Sequence, residues 1–324
     1  MKIATKLGLF LLALALGVLP LSAAPTGHFE RTLQVSGPVD LEVTSGSGNI
    51  TVHTGGSGSV YVSARIRASN SWLFGGNEEE KIRRIEKNPP VEQQGNTIRI
   101  GRIEDSELTR HISIDYDLTV PAQTRLNSHT GSGDTAISGL QLPLTARTGS
   151  GNITVENMAA DSRINSGSGE LKINGIKGSL HAGTGSGNIH AEGVAGEITA
   201  TTGSGNVDLH QVSAGDVKVE TGSGTVKLRG VKGGLRASTG SGDIQAEGEA
   251  THDWRLGAGS GNITLRLPPQ AAFDLDARTS SGTLKVNRPV TVQGSIAKNH
   301  IQGKVGSGGV ILEVHTGSGD IAID

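Results

Sequence analysis

Residues 180–209 read LHAGTGSGNIHAEGVAGEITATTGSGNVDL, and the pattern in this stretch decides the fold. Five, three and one residues before Gly-Ser-Gly stand an aliphatic residue, a small apolar residue and Thr, as in Ile198, Ala200 and Thr202. The next copies repeat this with Val217, Val219 and Thr221, then Leu235, Ala237 and Thr239. After the triplet come Asn or Asp and an apolar, variable, apolar run, as in Asn188-Ile189-His190-Ala191 and Asn262-Ile263-Thr264-Leu265. Alternation at period two on both sides of a tight turn marks half-buried strands. A second turn follows, often with paired glycines, as in Gly175-Ile176-Lys177-Gly178.

The triplet begins at Gly46, Gly56, Gly131, Gly149, Gly167, Gly185, Gly203, Gly222, Gly240, Gly259, Gly306 and Gly317, with a degenerate copy at Ser280-Ser281-Gly282. From Gly131 to Gly259 every step is 18 or 19 residues. A short fixed period is the signature of a repeat architecture. Eighteen residues cannot enclose a core alone, but two short strands and two turns can stack on identical neighbours at about 4.8 Å. The expected fold is therefore all-β: a single-stranded β-solenoid with about 18 residues per rung and a short N-terminal capping helix. Glycine is expected where the corners need backbone angles that side chains resist. The Thr and Asn columns are expected to form hydrogen-bonded ladders.

Composition agrees with a thin core. Glycine supplies 49 of 324 residues, against 2 Trp, 2 Tyr and 4 Phe. The core must come from Val, Ile, Leu and Ala. There is no cysteine, which excludes disulfides, thiolate metal sites and a cysteine nucleophile. The formal charge of −2 gives no electrostatic footprint for nucleic acid or an anionic membrane.

Lys2 and Lys6, the apolar run Leu7 to Leu21, and Ser22-Ala23-Ala24 have the order of a secretory signal peptide. Residues 1–24 are expected to be removed on export to the periplasm, outer surface or medium. No transmembrane segment is expected to remain. Residues 25–112 read as N-terminal strands with a lid helix near 77–87, continuous with repeats over 113–324 in one domain. For the helix, Asn77 can cap, Glu78 to Glu80 suit the first turn, and Ile82 and Ile85 form an apolar stripe. Ahead of it, Trp72, Leu73 and Phe74 make the densest apolar cluster and the candidate partner-binding residues.

An ordered set of segments adds a resemblance. The lid ends near Asn88-Pro89-Pro90, QGNTIRIG spans 94–101, DYDLTVP spans 115–121, and VGSGGVILEVHTGSGDI closes the chain from Val305. With the export signal and the TGSGNI repeats, these resemble the bacterial putative-adhesin family of exported, Gly-rich β-strand-repeat proteins. That resemblance implies surface adhesion through a domain of unknown function, and it brings no catalytic motif.

No residue pattern points to a reaction. Calcium would require carboxylates after the triplet, but most of those positions are neutral, such as Asn152, Asn188, Asn206 and Thr225. Phosphate loops lead into helices, whereas here strands follow. His111 and His129 stand 18 apart and would stack with Arg147, while His300 and His315 have no evident partner. Adjacent repeats would bring Asp208 near Lys227 and Glu192 near His210, an ordinary cross-strand pairing. No metal or cofactor is expected. The expected function is a non-enzymatic, adhesin-like structural role with a glycan or envelope protein as partner. A carbohydrate-active β-solenoid enzyme and an envelope signalling accessory protein are the alternatives. The terminal Asp320–Asp324 strand is expected to leave an edge open unless something covers it.

Overall fold

The computed structural model describes residues 25–68, 77–292 and 297–324. The signal segment 1–24 and the cluster Trp72, Leu73 and Phe74 lie outside the described residues. In the middle of the chain the period works as the sequence implies. Strands ahead of the triplet, Leu144–Thr148, Ser162–Ser166, Leu180–Thr184, Ile198–Thr202 and Val217–Ser223, pair in parallel with Leu144, Ser162, Leu180, Ile198 and Val217 in one row. Strands after it, Ile153–Met158, Leu171–Ile176, Ile189–Val194 and Val207–Gln211, form a second parallel ladder. Alternate residues of both ladders, such as Ile189, Ala191, Ile198 and Ala200, point into one continuous apolar core.

Before the triplets from Gly131 to Gly240 the last core position carries a buried hydroxyl. Thr184 Oγ1 donates to Gly169 O of the neighbouring turn at 2.9 Å and accepts from Gly187 N of its own turn at 3.2 Å. Thr148 and Thr202 do the same, and so does Ser166. The Thr ladder therefore runs through glycine backbone, not from one Thr to the next. On the other side of the turn the Asx column behaves similarly. Asp134 Oδ1 accepts from Asn152 N, and Asn152 Oδ1 accepts from Glu170 N, at 2.7 and 2.9 Å. Where Glu170 or Thr225 occupies the column, no such bond leads onward among the described residues.

Glycine in these turns answers to crowding rather than to dihedral angle. Neither glycine at Gly131, Gly149, Gly167 or Gly185, nor its partner two residues on, has positive φ. A Cβ on Gly169 would overlap Gly151 O, because adjacent turns are one strand spacing apart. In these repeats positive φ belongs instead to the second turn, at Asn157, Gly175 and Gly193, with φ of 56°, 72° and 71°; the later triplets differ, with φ of 146°, 146° and 144° at Gly242, Gly261 and Gly319. Asn is tolerated there because its short polar side chain visits the left-handed region.

The expectation of an open single-stranded β-solenoid with a helical cap is overturned. All 27 strands among the described residues belong to one hydrogen-bonded sheet, which wraps the core in a nearly closed, barrel-like topology. The period cannot encode this, because the closing strands are antiparallel. Ser59–Ala68 pairs antiparallel with both Thr26–Gln34 and Ile112–Val120, and Val91–Gln94 pairs antiparallel with Thr97–Ile100. At the far end His300–Val305 runs antiparallel to Phe273–Ser281. Only two short helices occur among the described residues, Glu78–Lys87 and Ser106–Thr109. The first buries Ile82 and Ile85 as its apolar stripe implies, but the Asn77 side chain makes no cap bond. It packs on Thr26–Gln34 and Ser59–Ala68, where Glu86 Oε1 accepts from His28 N at 2.9 Å, and it is no large cap. The terminal strand leaves no edge open either. Ile321–Ile323 lies between Ile263–Arg266 and Leu284–Val286.

Three substitutions separate these causes. Thr184→Val keeps the shape but leaves Gly169 O and Gly187 N unsatisfied, an expected loss of about 1–3 kcal/mol. Gly169→Ala is expected to cost about 1–3 kcal/mol by overpacking, whereas Gly46→Ala, whose Cβ meets nothing within 4 Å, should stay within about 0.5 kcal/mol. Urea unfolding of the three variants checks the ranking.

Candidate functional site

Inward columns are fixed by the core, so chemistry can vary only on the outward ones. On the ladder after the triplet the outward residues His190, Asp208, Lys227, Gln245 and Thr264 occupy one row. Glu192, His210 and Arg229 occupy the row beside it. Arg229 Nη2 donates to Glu192 Oε1 at 2.6 Å and to Asp208 Oδ1 at 3.0 Å. His210 Nδ1 lies 3.0 Å from Glu192 Oε2, and His190 sits 3.7 Å from Glu192 and 3.8 Å from Asp208. Glu192 thus meets His210 as the sequence implies. Asp208 lies beside Lys227 in register but bonds the diagonal Arg229 instead, whose longer planar head reaches two carboxylates.

Next to this network is a shallow depression of about 340 Å³, lined on its polar side by Asp208, Lys227, Arg229, Gln245, Glu247 and Arg266. Lys227 and Arg266 make no ion pair among the described residues. The network side chains are one-third to one-half exposed, so each pair adds little stability. Their effect is positional. Donors and acceptors alternate at strand spacing on a rigid wall, an arrangement that suits a polar ligand lying across several strands.

A second cluster lies at the far end. Asp276 accepts from Arg278 Nε at 2.9 Å and Nη2 at 2.7 Å, and its Oδ1 is 3.0 Å from His300 Nε2. His300 therefore has a partner, contrary to the sequence expectation. The signal was available only by recognising the antiparallel register that sets His300 opposite Arg278. His315 sits beside Arg278 and Gly257. His111 does not stack on His129, because the strand Val39–Ser45 is inserted there and places Thr44 beside His129. Arg147 is on the other side of His129, as expected. Among the described residues, no three His, Cys, Asp or Glu side chains are grouped to hold a metal.

The bonds from Arg278, helped by His300, hold the Asp276 carboxyl below its ordinary value although burial opposes this. A carboxyl held low in the folded chain stabilises it above the unfolded value and stops doing so as pH falls through the folded one. Asp276→Asn should therefore lower the melting temperature by a constant amount above about pH 5, and the gap should close below about pH 4. Melting curves of both proteins from neutral to acid pH check this.

A nearly closed all-β sheet with repeated turns and flat polar walls defines a β-strand-repeat protein. The chain belongs to the Toastrack DUF4097 family, whose model matches residues 32–210 and 193–324. Among solved structures it is similar to a putative cell adhesion protein from Clostridium sporogenes, with 12% identity, TM-score 0.25, and 92% of this chain and 99% of that one covered. Others are a putative adhesin from Bacteroides fragilis (14% identity, TM-score 0.31, 92% and 97% covered) and one from Parabacteroides distasonis (9%, 0.39, 91% and 97%). At these scores neither fold nor function transfers. No curated protein matches the chain. No helix among the described residues is long and apolar enough to cross a membrane.

Proposed function

We propose that this protein is a non-enzymatic, adhesin-like scaffold that works outside the cytoplasm and holds a glycan or an envelope protein on its outer walls. Export rests on residues 1–24 read as a signal peptide. The observation that carries the binding role is the wall formed by His190, Glu192, Asp208, His210 and Arg229, fixed beside a depression with Lys227 and Arg266, which make no ion pair among the described residues. A core locked on both faces of its turns keeps such a wall rigid, so little order is lost when a ligand settles on it. The cluster Trp72, Leu73 and Phe74 is a second contact for a protein partner, since aromatic residues anchor interfaces.

The test is a glycan array and an envelope-extract pull-down with residues 25–324. Saturable binding is expected. Lys227→Ala with Arg266→Ala should weaken it by about tenfold, about 1.4 kcal/mol, at unchanged melting temperature. A variant with Trp72, Leu73 and Phe74 changed to Ala reports on the protein contact. Release of new reducing ends from a bound polysaccharide, or no binding in either assay, would sink this reading.

A further inference from the structure

At one end the column of Gly-Ser-Gly turns stops at Gly46. In successive turns the first glycine's N–H donates to the Ser or Thr carbonyl of the turn beside it: Gly131 to Ser45 at 3.0 Å, Gly149 to Thr130 at 3.1 Å and Gly167 to Thr148 at 3.0 Å. For Gly46 the matching acceptor would be Arg102 O, because Thr97–Ile100 lies in register with residues 40–43. The chain leaves the ladder before that bond can form. Gly101, at φ 84°, redirects it, and residues 102–111 loop through Ser106–Thr109 before Ile112 rejoins the sheet. Gly46 N–H has no acceptor among the described residues. A Cβ on Gly46 would meet open space where the neighbouring turns meet a carbonyl.

The gap is a cavity of about 500 Å³ whose polar lining includes Gly46, Glu42, Arg99, Arg102 and His129. Arg99 Nε is 3.5 Å from Glu42 and Arg102 Nη2 is 4.0 Å from Glu104, with all four side chains at least 46% exposed. Such long, solvated pairs hold weakly, so both guanidiniums can turn to a better acceptor. A peptide N–H and two guanidiniums at one gap suit a carboxylate, which accepts two parallel bonds from a guanidinium. The wall running away from the gap continues the positive charge. Arg147 stands beside His129, and Arg163 follows on the next strand. Both are exposed and make no ion pair among the described residues.

We propose that the gap is a carboxylate-binding subsite for an acidic polysaccharide, which seats one acidic sugar on Arg99, Arg102 and the Gly46 N–H and extends along Arg147 and Arg163. The choice of a glycan rests on the binding role proposed above; the position does not. A polymer fits better than a small anion because Arg147 and Arg163 stand on two further strands of the same wall.

The experiment is calorimetry on residues 25–324 with polygalacturonate oligosaccharides and with their methyl esters, which share the chain but not the charge. The acid should bind, and the ester should bind at least about tenfold more weakly. Arg99→Gln with Arg102→Gln should lose about tenfold in affinity for the acid, and Arg99→Lys with Arg102→Lys should recover part of it. Melting curves should show every variant folded. Equal binding of acid and ester, full affinity in the glutamine variant, or binding of polyphosphate in place of polygalacturonate overturns the subsite. A wild-type chain that binds neutral glycans or an envelope protein but not polygalacturonate overturns the subsite alone. A chain that binds nothing overturns both proposals.

Discussion

The structure depends on a hydroxyl with two hydrogen bonds. At the last core position before the turns from Gly131 to Gly203, Thr or Ser donates to a glycine carbonyl of the adjacent repeat and accepts from a glycine N–H of its own. This one group joins neighbouring repeats, closes the turn and satisfies backbone that would otherwise be buried without partners. It also forces the sequence of the turn. Repeats one strand spacing apart put each carbonyl where the next residue's Cβ would be, so glycine is required at Gly151 and Gly169 without any unusual φ. The Asx column adds a second set of the same kind outside the core, where a side-chain oxygen reaches the next repeat's N–H. Asn and Asp have the right length. Glu170 carries one methylene more and Thr225 a shorter oxygen arm, and the column is broken at both.

The middle of the chain was legible for this reason. Local rules of period, turn and column all act between residues 18 or 19 apart, so they appear in the sequence as spacing. The row from Leu144 to Val217 and the burial of Ile189 and Ala200 follow directly. What spacing could not give was the way the sheet closes. Antiparallel pairing of Tyr61 with Thr119 or of Asp274 with Lys304 leaves no period, and nothing local marks which strand is inserted between which others. The same blindness hid the Asp276–His300 contact and suggested a false stack of His111 on His129. The 18-residue interval between those histidines predates the first regular repeat, and the strand Val39–Ser45 occupies the place that stacking would have used.

Longer repeats show how the sheet absorbs irregularity. From Gly203 to Gly222 the step is 19 residues, and the extra residue follows the strand Val207–Gln211. There Gln211 replaces the aliphatic residue found at Ile176 and Val194. It is 2% exposed, yet its amide is fully engaged. Nε2 donates to Gly196 O and Gly215 O, and Oε1 accepts from Lys232 N. A buried amide is costly without partners; here it replaces backbone bonds that the longer loop displaces. The polar residue in an apolar column is a consequence of loop length and needs no ligand to explain it. Outward positions such as Glu192, Arg229, Arg99 and Arg102 are different, because no backbone group depends on them.

The two ends follow a common construction with consequences for folding. Near the start, Ile50–Thr54 lies between Ile112–Val120 and Thr135–Ser138, strands that follow it by some 60 residues or more. Near the finish, Val310–Ser318 inserts between Ile244–Ser260 and Phe273–Ser281. A chain built only by adding repeats in order could fold progressively from either end. This one cannot complete either end until a distant segment arrives, so loop closure must precede the final pairing at both. The interior repeats, whose contacts are local, are therefore the natural place for structure to begin. The ends, with their inserted strands, nearly close it and cover the edges of the parallel ladders, although Thr26–Gln34 and Leu284–Val286 each pair on one side alone among the described residues. The same rearrangement that protects the first end also takes residues 102–111 off the ladder and opens the gap at Gly46. In this fold, closing a sheet with strands from elsewhere in the chain creates an irregular polar recess that a uniform repeat would not contain.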